Sequence, residues 1–390
     1  MVRRPRLLPA VGTARNLVTA SLADVLPPAT PVSGRTTAAE SQGSDAGQVG
    51  RLPLILVACS GGPDSLALAA VAVHLARTGR ARVGAVVVDH GLLEDSAEVA
   101  RRAAAAVAGL GLDPVEVRRV SVAGKGQGPE AAARTARYAA LDDAAAHLGA
   151  DVVLLGHTLD DQAEQVLLGL ARGSGTRSLA GMPAGRGLYR RPFLDLRRAE
   201  TEAICRFHGL DPWHDPANQD PAFARSRVRT DVLPFLEDSL GPGISQALAR
   251  TARILGQDAD LLEQLSAEAY GQLRTEGDDG DLLLPEDGLL ALPAALRQRV
   301  LALAALELGA FRPSSERLRA AESLLERTGS AGPVQLGGKV SVHRQVRGRA
   351  VLRGEPSYGN LVLRGDGSRS GPRDPSTGPG VEQQRRQTQE

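Results

Sequence analysis

Short apolar runs alternate with helix-length amphipathic segments between residue 51 and about residue 235. The runs cover residues 52–57, 83–88, 115–120 and 152–155, and the helical segments begin near residues 64, 96, 129 and 160. The runs are rich in valine and leucine and lack polar alternation, as expected for strands that are buried on both faces of a sheet. The pattern predicts a doubly wound, mainly parallel α/β sheet.

The pattern changes after Pro234. Apolar positions at helical spacing fill residues 244–273, 289–308 and 315–325, and they predict a helical domain. Alternation returns among arginines at 334–352, which is typical of a short hairpin or a small basic sheet. Beyond Gly354 the chain is rich in Gly, Pro, Ser and Arg, a composition that favours disorder.

These changes divide the chain into five predicted regions. In chain order they are an N-terminal helix and flexible linker (1–50), an α/β domain (51–235), a helical domain (236–330), a small β segment (331–354) and a disordered tail (355–390). The N-terminal helix is expected over residues 10–25, and the linker over residues 27–50.

Composition narrows the range of functions only slightly. Lysine and arginine number 46 against 45 aspartate and glutamate, so a polyanionic partner would have to be held by local patches. The only cysteines are Cys59 and Cys205, which argues for a reducing interior and against a disulfide framework or a cysteine-based metal site. No charge-free apolar run approaches the ~18 residues of a membrane span. We expect a cytoplasmic protein.

A loop rich in small residues follows the first apolar run and opens onto a helix. Its nucleotide-binding candidates are Ser60, Gly61, Gly62, Pro63, Asp64 and Ser65. Small residues let the backbone approach an anion closely, and the free amides at a helix start favour negative charge. The spacing is not that of a Walker A loop. The loop predicts a phosphate site, with Asp64 as a Mg²⁺ ligand or, more simply, as a helix-capping residue.

Two further segments supply candidate nucleotide contacts. Asp89 ends the second apolar run and is followed by His90 and Gly91, at a strand end where ligands commonly bind in such sheets. Arg134 and Arg137 are three residues apart on a predicted helix and therefore share one face. That face is either a phosphate clamp or a solvated basic surface, and the segment alone favours neither.

The fourth run ends in Gly156 and His157 and leads into a helix with an acidic first turn. Asp161 and Glu164 share one face of that helix, which the apolar spacing directs toward the strand ends. Acidic residues in a first turn commonly complement the helix dipole. At the ligand edge of a sheet, however, a carboxylate pair suits an ammonium group far better than another phosphate.

The ordered set of motifs resembles a known family. The Ser-Gly-Gly-x-Asp-Ser loop is similar to the PP-loop of the ATP pyrophosphatases, whose fold is adenine nucleotide α hydrolase-like. The segments 60–65, 88–92, 128–141, 156–164, 191–194 and 215–234 occur in the order found in bacterial tRNA(Ile)-lysidine synthetases. The loop is shared with the whole superfamily, whereas the ordered set discriminates this family from its relatives.

The resemblance implies a two-step ligation with ATP and Mg²⁺. The C2 oxygen of the wobble cytidine of tRNA(Ile), in its CAU anticodon, attacks the α-phosphate of ATP, and pyrophosphate leaves. The ε-amine of free L-lysine then attacks C2 and AMP leaves, so that the tRNA carries lysidine and decodes AUA instead of AUG. The helical and basic C-terminal regions are expected to contact the tRNA, and a homodimer is left open.

The resemblance also implies residue roles. It assigns the loop residues 60–65 to ATP, Asp64 to catalysis and the metal, and Asp161 with Glu164 to catalysis and the lysine amine. It assigns ATP contacts to Asp89, Arg134 and His157, and contacts with ATP or tRNA to Arg137, Arg225 and Arg229. The stretch 225–229 departs from the family pattern, because Ser226 stands where asparagine is usual.

Two other interpretations remain. Another PP-loop ligase or a tRNA thiolase would use the same adenylation with a different nucleophile, although sulfur chemistry usually needs paired cysteines. A nucleotide-dependent RNA-binding protein would keep the fold without the chemistry, and the intact Asp64, Asp161 and Glu164 argue against it.

Overall fold

The computed structural model describes residues 8–28, 51–91, 95–120, 129–173, 175–277, 280–326, 333–349 and 356–365. The predicted linker lies almost wholly outside these ranges. The chain forms two compact units, residues 1–257 and 258–390.

A six-stranded sheet forms the centre of the first unit. Its strands are β1 (Leu54–Cys59), β2 (Arg82–Asp89), β3 (Val115–Arg119), β4 (Val152–Leu155), β5 (Gly185–Arg186) and β6 (Tyr189–Arg190). They lie in the order β3-β2-β1-β4-β6-β5. All neighbouring pairs are parallel except β5 with β6, so the predicted mainly parallel sheet is confirmed.

Helices cover both faces of this sheet. They are α1 (Pro9–Ser21), α2 (Pro63–Arg77), α3 (Ser96–Leu110), α4 (Pro129–Leu148), α5 (Leu159–Ala171), α6 (Thr176–Leu179), α7 (Arg198–Phe207), α8 (Ala224–Arg227) and α9 (Leu233–Leu240), followed by α10 (Ile244–Leu273), which crosses the boundary at residue 257. One core joins α1, α2, α3 and α7 to one face of the sheet, and a second core joins α4 to the opposite face. The sheet is doubly wound, as the apolar runs predicted.

The order of the strands indicates where a ligand would bind. The chain reverses direction across the sheet between β1 and β4, because β2 and β3 lie on one side of β1 and β4 lies on the other. Ligands of open α/β sheets bind at such a switch point, outside the carboxyl ends of the strands. The segments that follow β1 and β4 are the phosphate loop and the acidic helix start that the sequence singled out.

The second unit has its own sheet and core. Its strands are β7 (Thr275–Glu276), β8 (Leu282–Pro285), β9 (Val334–Gly337), β10 (Val340–Arg349) and β11 (Pro356–Arg364), in the order β7-β8-β11-β10-β9. Its helices are α11 (Glu286–Ala291), α12 (Ala294–Glu307) and α13 (Ser315–Glu322). The pairs are antiparallel, and the core contains Leu284, Val300, Leu336 and Leu361.

Two parts of the predicted layout need correction. The disordered tail was expected from residue 355, but 356–364 form β11, in which Leu361, Val362 and Leu363 are buried. The helical region 236–330 also contains β7 and β8. β7 and β8 have only two and four residues, and β11 lies next to a Gly-rich composition. The pairing of β8 with the distant β11 is not visible in either local pattern.

The first compact unit is longer than the predicted α/β domain. That domain was predicted to end at residue 235, and the compact unit that contains it continues to residue 257. Ala252 is fully buried, and Arg253 forms an ion pair with Asp195 at 3.9 Å. The first unit also includes α1, whose Val11, Ala14 and Val18 are buried in its core.

Within the described ranges, no helix is both long enough and apolar enough to cross a membrane.

Candidate active site

The phosphate loop is held by hydrogen bonds of its own serines. Ser65 Oγ donates to the Gly62 carbonyl at 3.0 Å and accepts from Ser60 N at 3.2 Å. Gly61 has φ +82°, a left-handed conformation that favours glycine, and a β-carbon there would lie 3.1 Å from Ala103 Cβ. The chain enters α2 at Gly62, with Pro63 at the first helical position. The loop therefore presents its small residues at the start of a helix.

Two other segments fix the loop from outside. Trp213 N donates to the Gly61 carbonyl at 2.9 Å. A β-carbon at Gly156, which directly follows β4, would lie 2.9 Å from the Asp64 carbonyl carbon and 3.0 Å from Ser65 N. Because any side chain at Gly156 would collide with backbone, glycine is what allows the end of β4 to reach the start of α2.

Asp64 lies at the junction of the loop and the neighbouring helix α7. Thr201 Oγ1, which is fully buried, donates to Asp64 Oδ1 at 2.5 Å, and Arg198 Nε lies 3.7 Å from Asp64 Oδ2. Burial raises the pKa of Asp64 to about 6, against the opposing effect of the Arg198 guanidinium. Its side chain is 19% exposed, so a ligand can reach it.

Asp161 both caps α5 and faces the site. Thr158 N and Thr158 Oγ1 lie 2.8 and 3.0 Å from Asp161 Oδ2, and Thr158 Oγ1 accepts from Asp161 N at 3.4 Å, which makes a capping box. The simpler interpretation of Asp161 as a helix-terminus acid is therefore correct. It is incomplete, because Oδ1 points to arginines from two other segments.

Asp161 and Glu164 form a buried carboxylate pair with three arginines around it. Arg198, Arg225 and Arg229 each lie within 3.3 Å of Asp161 Oδ1. Arg225 Nε lies 2.8 Å from Glu164 Oε2, and Arg229 Nε lies 2.6 Å from Glu164 Oε1. Asp161 is 7% exposed and Glu164 is not exposed at all, so these charges need one another.

The arginines keep Asp161 ionised. Burial by itself would raise the pKa of Asp161, but the Arg198 and Arg225 guanidiniums hold it below its ordinary value. Asp161 is therefore an anion at neutral pH despite its burial.

His157 belongs to a neighbouring cationic group of side chains, which also contains Arg134, Arg137, Tyr138 and Arg191. Burial lowers the pKa of His157 to about 3, so the imidazole is neutral at pH 7. Burial also lowers the pKa of Arg137. Within the described ranges, Arg137 Nε and His157 Nδ1 are buried without a hydrogen-bond partner. Unsatisfied buried donors of this kind point to a ligand or a water.

Arg134 and Tyr138 belong to the same group. The Arg134 guanidinium carbon lies 5.2 Å from the centre of the Tyr138 ring, and that of Arg137 lies 5.9 Å from it, both within cation–π range. Arg191 donates to the Tyr138 hydroxyl at 3.2 Å and to the Pro183 carbonyl at 3.0 Å. The two arginines predicted to share a face do so, with Arg134 more exposed than Arg137.

Asp89 ends β2 and is 5% exposed. Burial would raise its pKa, but the hydrogen bond from Gly91 N at 2.9 Å helps to bring it below the ordinary value. Its Oδ2 also lies 3.8 Å from Arg119 Nε. In this structure Asp89 therefore stabilises the turn after β2, and its predicted contact with ATP stays a prediction.

Sequence reasoning did not foresee the contacts of two residues of the site. It placed Arg198 only in a basic stretch, residues 186–198, of candidate phosphate contacts, whereas Arg198 contacts Asp64, Asp161 and Glu164, and it did not consider Thr201. Both are on α7, whose start is placed beside α5 by the hydrogen bond from Leu159 N to the Leu196 carbonyl. The acidic residues at the start of α5 predicted a nearby cation, but the sequence did not indicate which residue supplies it.

The donor set near Asp64 suits a metal ion that arrives with a nucleotide. In the parts of the chain that the structure describes, no group of three or more His, Cys, Asp or Glu side chains could hold a metal. Mg²⁺ commonly takes one or two carboxylates, several waters and the phosphates of a substrate. A single accessible carboxylate beside a phosphate loop fits that pattern.

Comparison with known proteins first defines the class. A family model described as "PP-loop domain" matches residues 43–236, and one described as "TilS substrate binding domain" matches residues 284–351. The fold, the glycine-rich loop and the switch-point location thus define a PP-loop protein.

Curated relatives then identify the family. The chain is 52% identical over 293 residues to the tRNA(Ile)-lysidine synthase of Leifsonia xyli subsp. xyli, covering 75% of this chain and 87% of the relative. It is 50% identical over 307 residues to that of Streptomyces coelicolor, covering 77% and 85%. It is 54% identical over 257 residues to that of Thermobifida fusca, covering 66% of this chain and 78% of the relative. The chain belongs to the tRNA(Ile)-lysidine synthase family.

Among solved structures, the U34-tRNA thiolase NcsA from Methanococcus maripaludis, with its [4Fe-4S] cluster, is similar with a TM-score of 0.48 and 19% identity. The match covers 63% of this chain and 80% of that protein.

Proposed function

We propose that this protein joins L-lysine to C2 of the wobble cytidine of tRNA(Ile) with a CAU anticodon, consuming ATP and releasing AMP and pyrophosphate. The observation that carries the proposal is the buried pair Asp161–Glu164 beside a PP-loop, linked to it through Arg198. Membership of the tRNA(Ile)-lysidine synthase family supports the same reaction.

In the first step the loop residues 60–65 would bind the ATP phosphates. Their backbone amides and the start of α2 favour negative charge, and the positive φ of Gly61 keeps the turn open to an anion. Asp64 would hold Mg²⁺, which when bound neutralises negative charge on the departing pyrophosphate. The C2 oxygen of the cytidine forms a bond to the α-phosphorus, and the bond to pyrophosphate breaks.

In the second step Asp161 and Glu164 would bind the lysine ammonium group. The ε-amine has an ordinary pKa of about 10.4 and must lose a proton before it attacks C2. Two ionised carboxylates can hold the ammonium form and accept that proton. The C2–nitrogen bond then forms, the bond between C2 and the AMP oxygen breaks, and AMP leaves.

The neighbouring cationic group would receive phosphates. Arg137 has a buried Nε without a partner in the described residues, and no carboxylate offsets its charge in the way that Glu164 offsets that of Arg225. We assign Arg134, Arg137 and His157 to ATP or to the tRNA backbone on this basis. Arg225 and Arg229 would contact ATP or tRNA when they leave Glu164.

The second unit would bind the tRNA body, since it carries the match to the substrate-binding domain. We also propose a cytoplasmic location, because Cys59 and Cys205 are free thiols. A homodimer stays a prediction that sedimentation of the full chain would test.

The reaction has a direct test. Pyrophosphate exchange into ATP is expected only when CAU-anticodon tRNA(Ile) is present, followed by transfer of labelled lysine to that tRNA. Methionine tRNA, which shares the anticodon, is the matched control and should support neither step. Exchange without lysine transfer would indicate another PP-loop ligase, and an absence of exchange would indicate a binding protein without this activity.

A further inference from the structure

The carboxylate pair is saturated with donors. Glu164 Oε2 accepts from Arg225 Nε at 2.8 Å and from Arg229 Nη2 at 3.0 Å, while Glu164 Oε1 accepts from Arg229 Nε at 2.6 Å. Asp161 Oδ1 faces all three arginines, and Asp161 Oδ2 accepts from Thr158. An incoming ammonium ion needs these same lone pairs, so a guanidinium has to move before it can bind.

The charges of the group already balance. Asp64, Asp161 and Glu164 supply three negative charges, and Arg198, Arg225 and Arg229 supply three positive charges when all are ionised. A fourth cation would add uncompensated charge to a buried site, which is unfavourable. A free amino acid therefore finds little net attraction here until anionic ligands arrive.

Two of the three arginines come from a lightly anchored segment. Arg225 is on α8, a helix of four residues, and Arg229 is on the π-helix Val228–Val232 that continues it. Among residues 221–232, only Ser226 is buried. Segments with little burial open at low free-energy cost, and π-helical turns often occur at functional sites.

Arg198 differs in this respect. It is the first residue of α7, whose Thr201, Ile204 and Cys205 are buried. If the backbone around Arg198 moved away from the carboxylates, α7 would have to leave the core. The pair of arginines that can leave is therefore Arg225 and Arg229.

We propose that Arg225 and Arg229 are an internal competitor of the substrate ammonium group. They occupy Asp161 and Glu164 until phosphate groups of ATP or of the tRNA attract their guanidiniums, and the carboxylates then become available. This inference rests on the proposed function in one respect, namely that Asp161 and Glu164 bind the lysine ammonium group. It adds an order of binding in which the phosphate ligand precedes lysine.

The test measures binding of labelled lysine to the full chain by equilibrium dialysis. Lysine is titrated into the protein alone, with a non-hydrolysable ATP analogue and Mg²⁺, with tRNA(Ile), and with both. Allosteric couplings between ligands are commonly about 5–150-fold, so we expect at least about tenfold tighter lysine binding when the phosphate ligand is present. The arms with a single ligand identify which source of phosphate releases the arginines.

Arg229→Gln is the diagnostic variant. Without ATP or tRNA it should bind lysine about tenfold tighter than the wild type, and its coupling to the phosphate ligand should fall by the same factor. Arg227→Gln is the matched control. Arg227 lies in the same segment but donates to the Pro221 and Ala222 carbonyls at 2.6 and 3.1 Å, so its lysine binding should match the wild type.

The outcomes separate this inference from the proposed function. Unchanged lysine affinity in Arg229→Gln overturns the competitor role, whereas loss of lysine binding in Glu164→Gln with both ligands present shows that the ammonium site itself stands. Retained binding in Glu164→Gln overturns the ammonium site. If thermal melting shows that Arg229→Gln does not fold, the same measurement is made on Arg225→Gln. In the wild type, lysine affinity that does not rise when ATP analogue or tRNA is added also overturns the inference.

Discussion

Each of the two units contains a buried arginine–carboxylate arrangement, and the two arrangements differ in kind. In the second unit, Arg344 Nε and Nη2 each lie 2.8 Å from one oxygen of Glu286, and both side chains are at most 10% exposed. In the first unit, three arginines crowd around Asp161 and Glu164. The arrangement in the second unit is a bidentate pair of one guanidinium with one carboxylate, whereas in the first unit three guanidiniums share the two carboxylates.

This contrast distinguishes a structural ion pair from a ligand site. A planar guanidinium that matches one carboxylate satisfies both groups in a single geometry. Where three guanidiniums contact the same two carboxylates, any one of them can move while the others keep the carboxylates paired. Location agrees with this distinction, since the crowded group lies at the strand-end edge where α/β sheets bind ligands.

We expect the greatest loss from a change to the bidentate pair. Glu286→Gln should lower the free energy of unfolding by about 3–5 kcal/mol, because it replaces the carboxylate that holds both nitrogens of a buried guanidinium by a neutral amide. Chemical denaturation of the full chain, followed by a probe in the second unit, measures this loss. The double replacement Glu286→Met with Arg344→Leu should recover most of it, and a double variant as unstable as the single one would refute a purely structural pair.

The second effect concerns the crowded group. Glu164→Gln should reduce transfer of labelled lysine by about 100-fold while tRNA-dependent pyrophosphate exchange stays near the wild-type rate, because only the second step needs the ammonium site. Asp143→Asn is a suitable control, since that exposed carboxylate pairs with Arg118 away from the site. Equal loss of both steps would mean that Glu164 acts on the nucleotide, and the contrast between the two arrangements would then need another explanation.

The third effect is a pH dependence at the edge of the crowded group. The folded-state pKa of His157 is lowered from 6.5 to about 3, so the unfolded chain binds a proton there that the folded chain does not. The stabilising contribution is complete above pH 6.5 and is lost as the pH falls toward 3. At pH 5 the loss amounts to about 2 kcal/mol.

His157→Asn should abolish that part of the slope. Urea denaturation at several pH values between 7.5 and 5 would show stability that falls less steeply in the variant than in the wild type. Identical slopes would place the imidazole in contact with water, in conflict with the burial that lowers its pKa.

The sequence predicted the elements of this site better than their partners. The phosphate loop, the acidic start of α5 and the parallel strands all follow from short local patterns, and the structure has them where they were expected. Arg225 and Arg229 were predicted to contact ATP or tRNA, and in this structure they contact Glu164. A pairing between residues so far apart in the chain depends on tertiary packing, which periodicity does not encode.

The sheet of the second unit shows the same limit. The pairing of β8 with β11 joins two short apolar runs from distant parts of the chain, one of which was assigned to the helical region and the other to the tail. The carboxylate contacts of Arg198 and the contribution of Thr201 were not foreseen for a related reason, because both residues enter the site only when α7 packs beside α5. Local signals therefore located the ligand edge, and long-range contacts completed it.

A small change in Mg²⁺–ATP binding would test whether α7 positions the phosphate loop. Thr201→Val removes the hydroxyl that donates to Asp64 Oδ1, so the carboxylate loses a fixed orientation and gains freedom that metal binding must remove again. One hydrogen bond contributes about 1 kcal/mol, which corresponds to about fivefold weaker binding of Mg²⁺–ATP. Thr201→Ser keeps the hydroxyl and should bind as tightly as the wild type, although it loses a buried methyl group and some stability. Equal weakening in both variants would indicate that Thr201 only packs, and the crowded group would then end at Arg198.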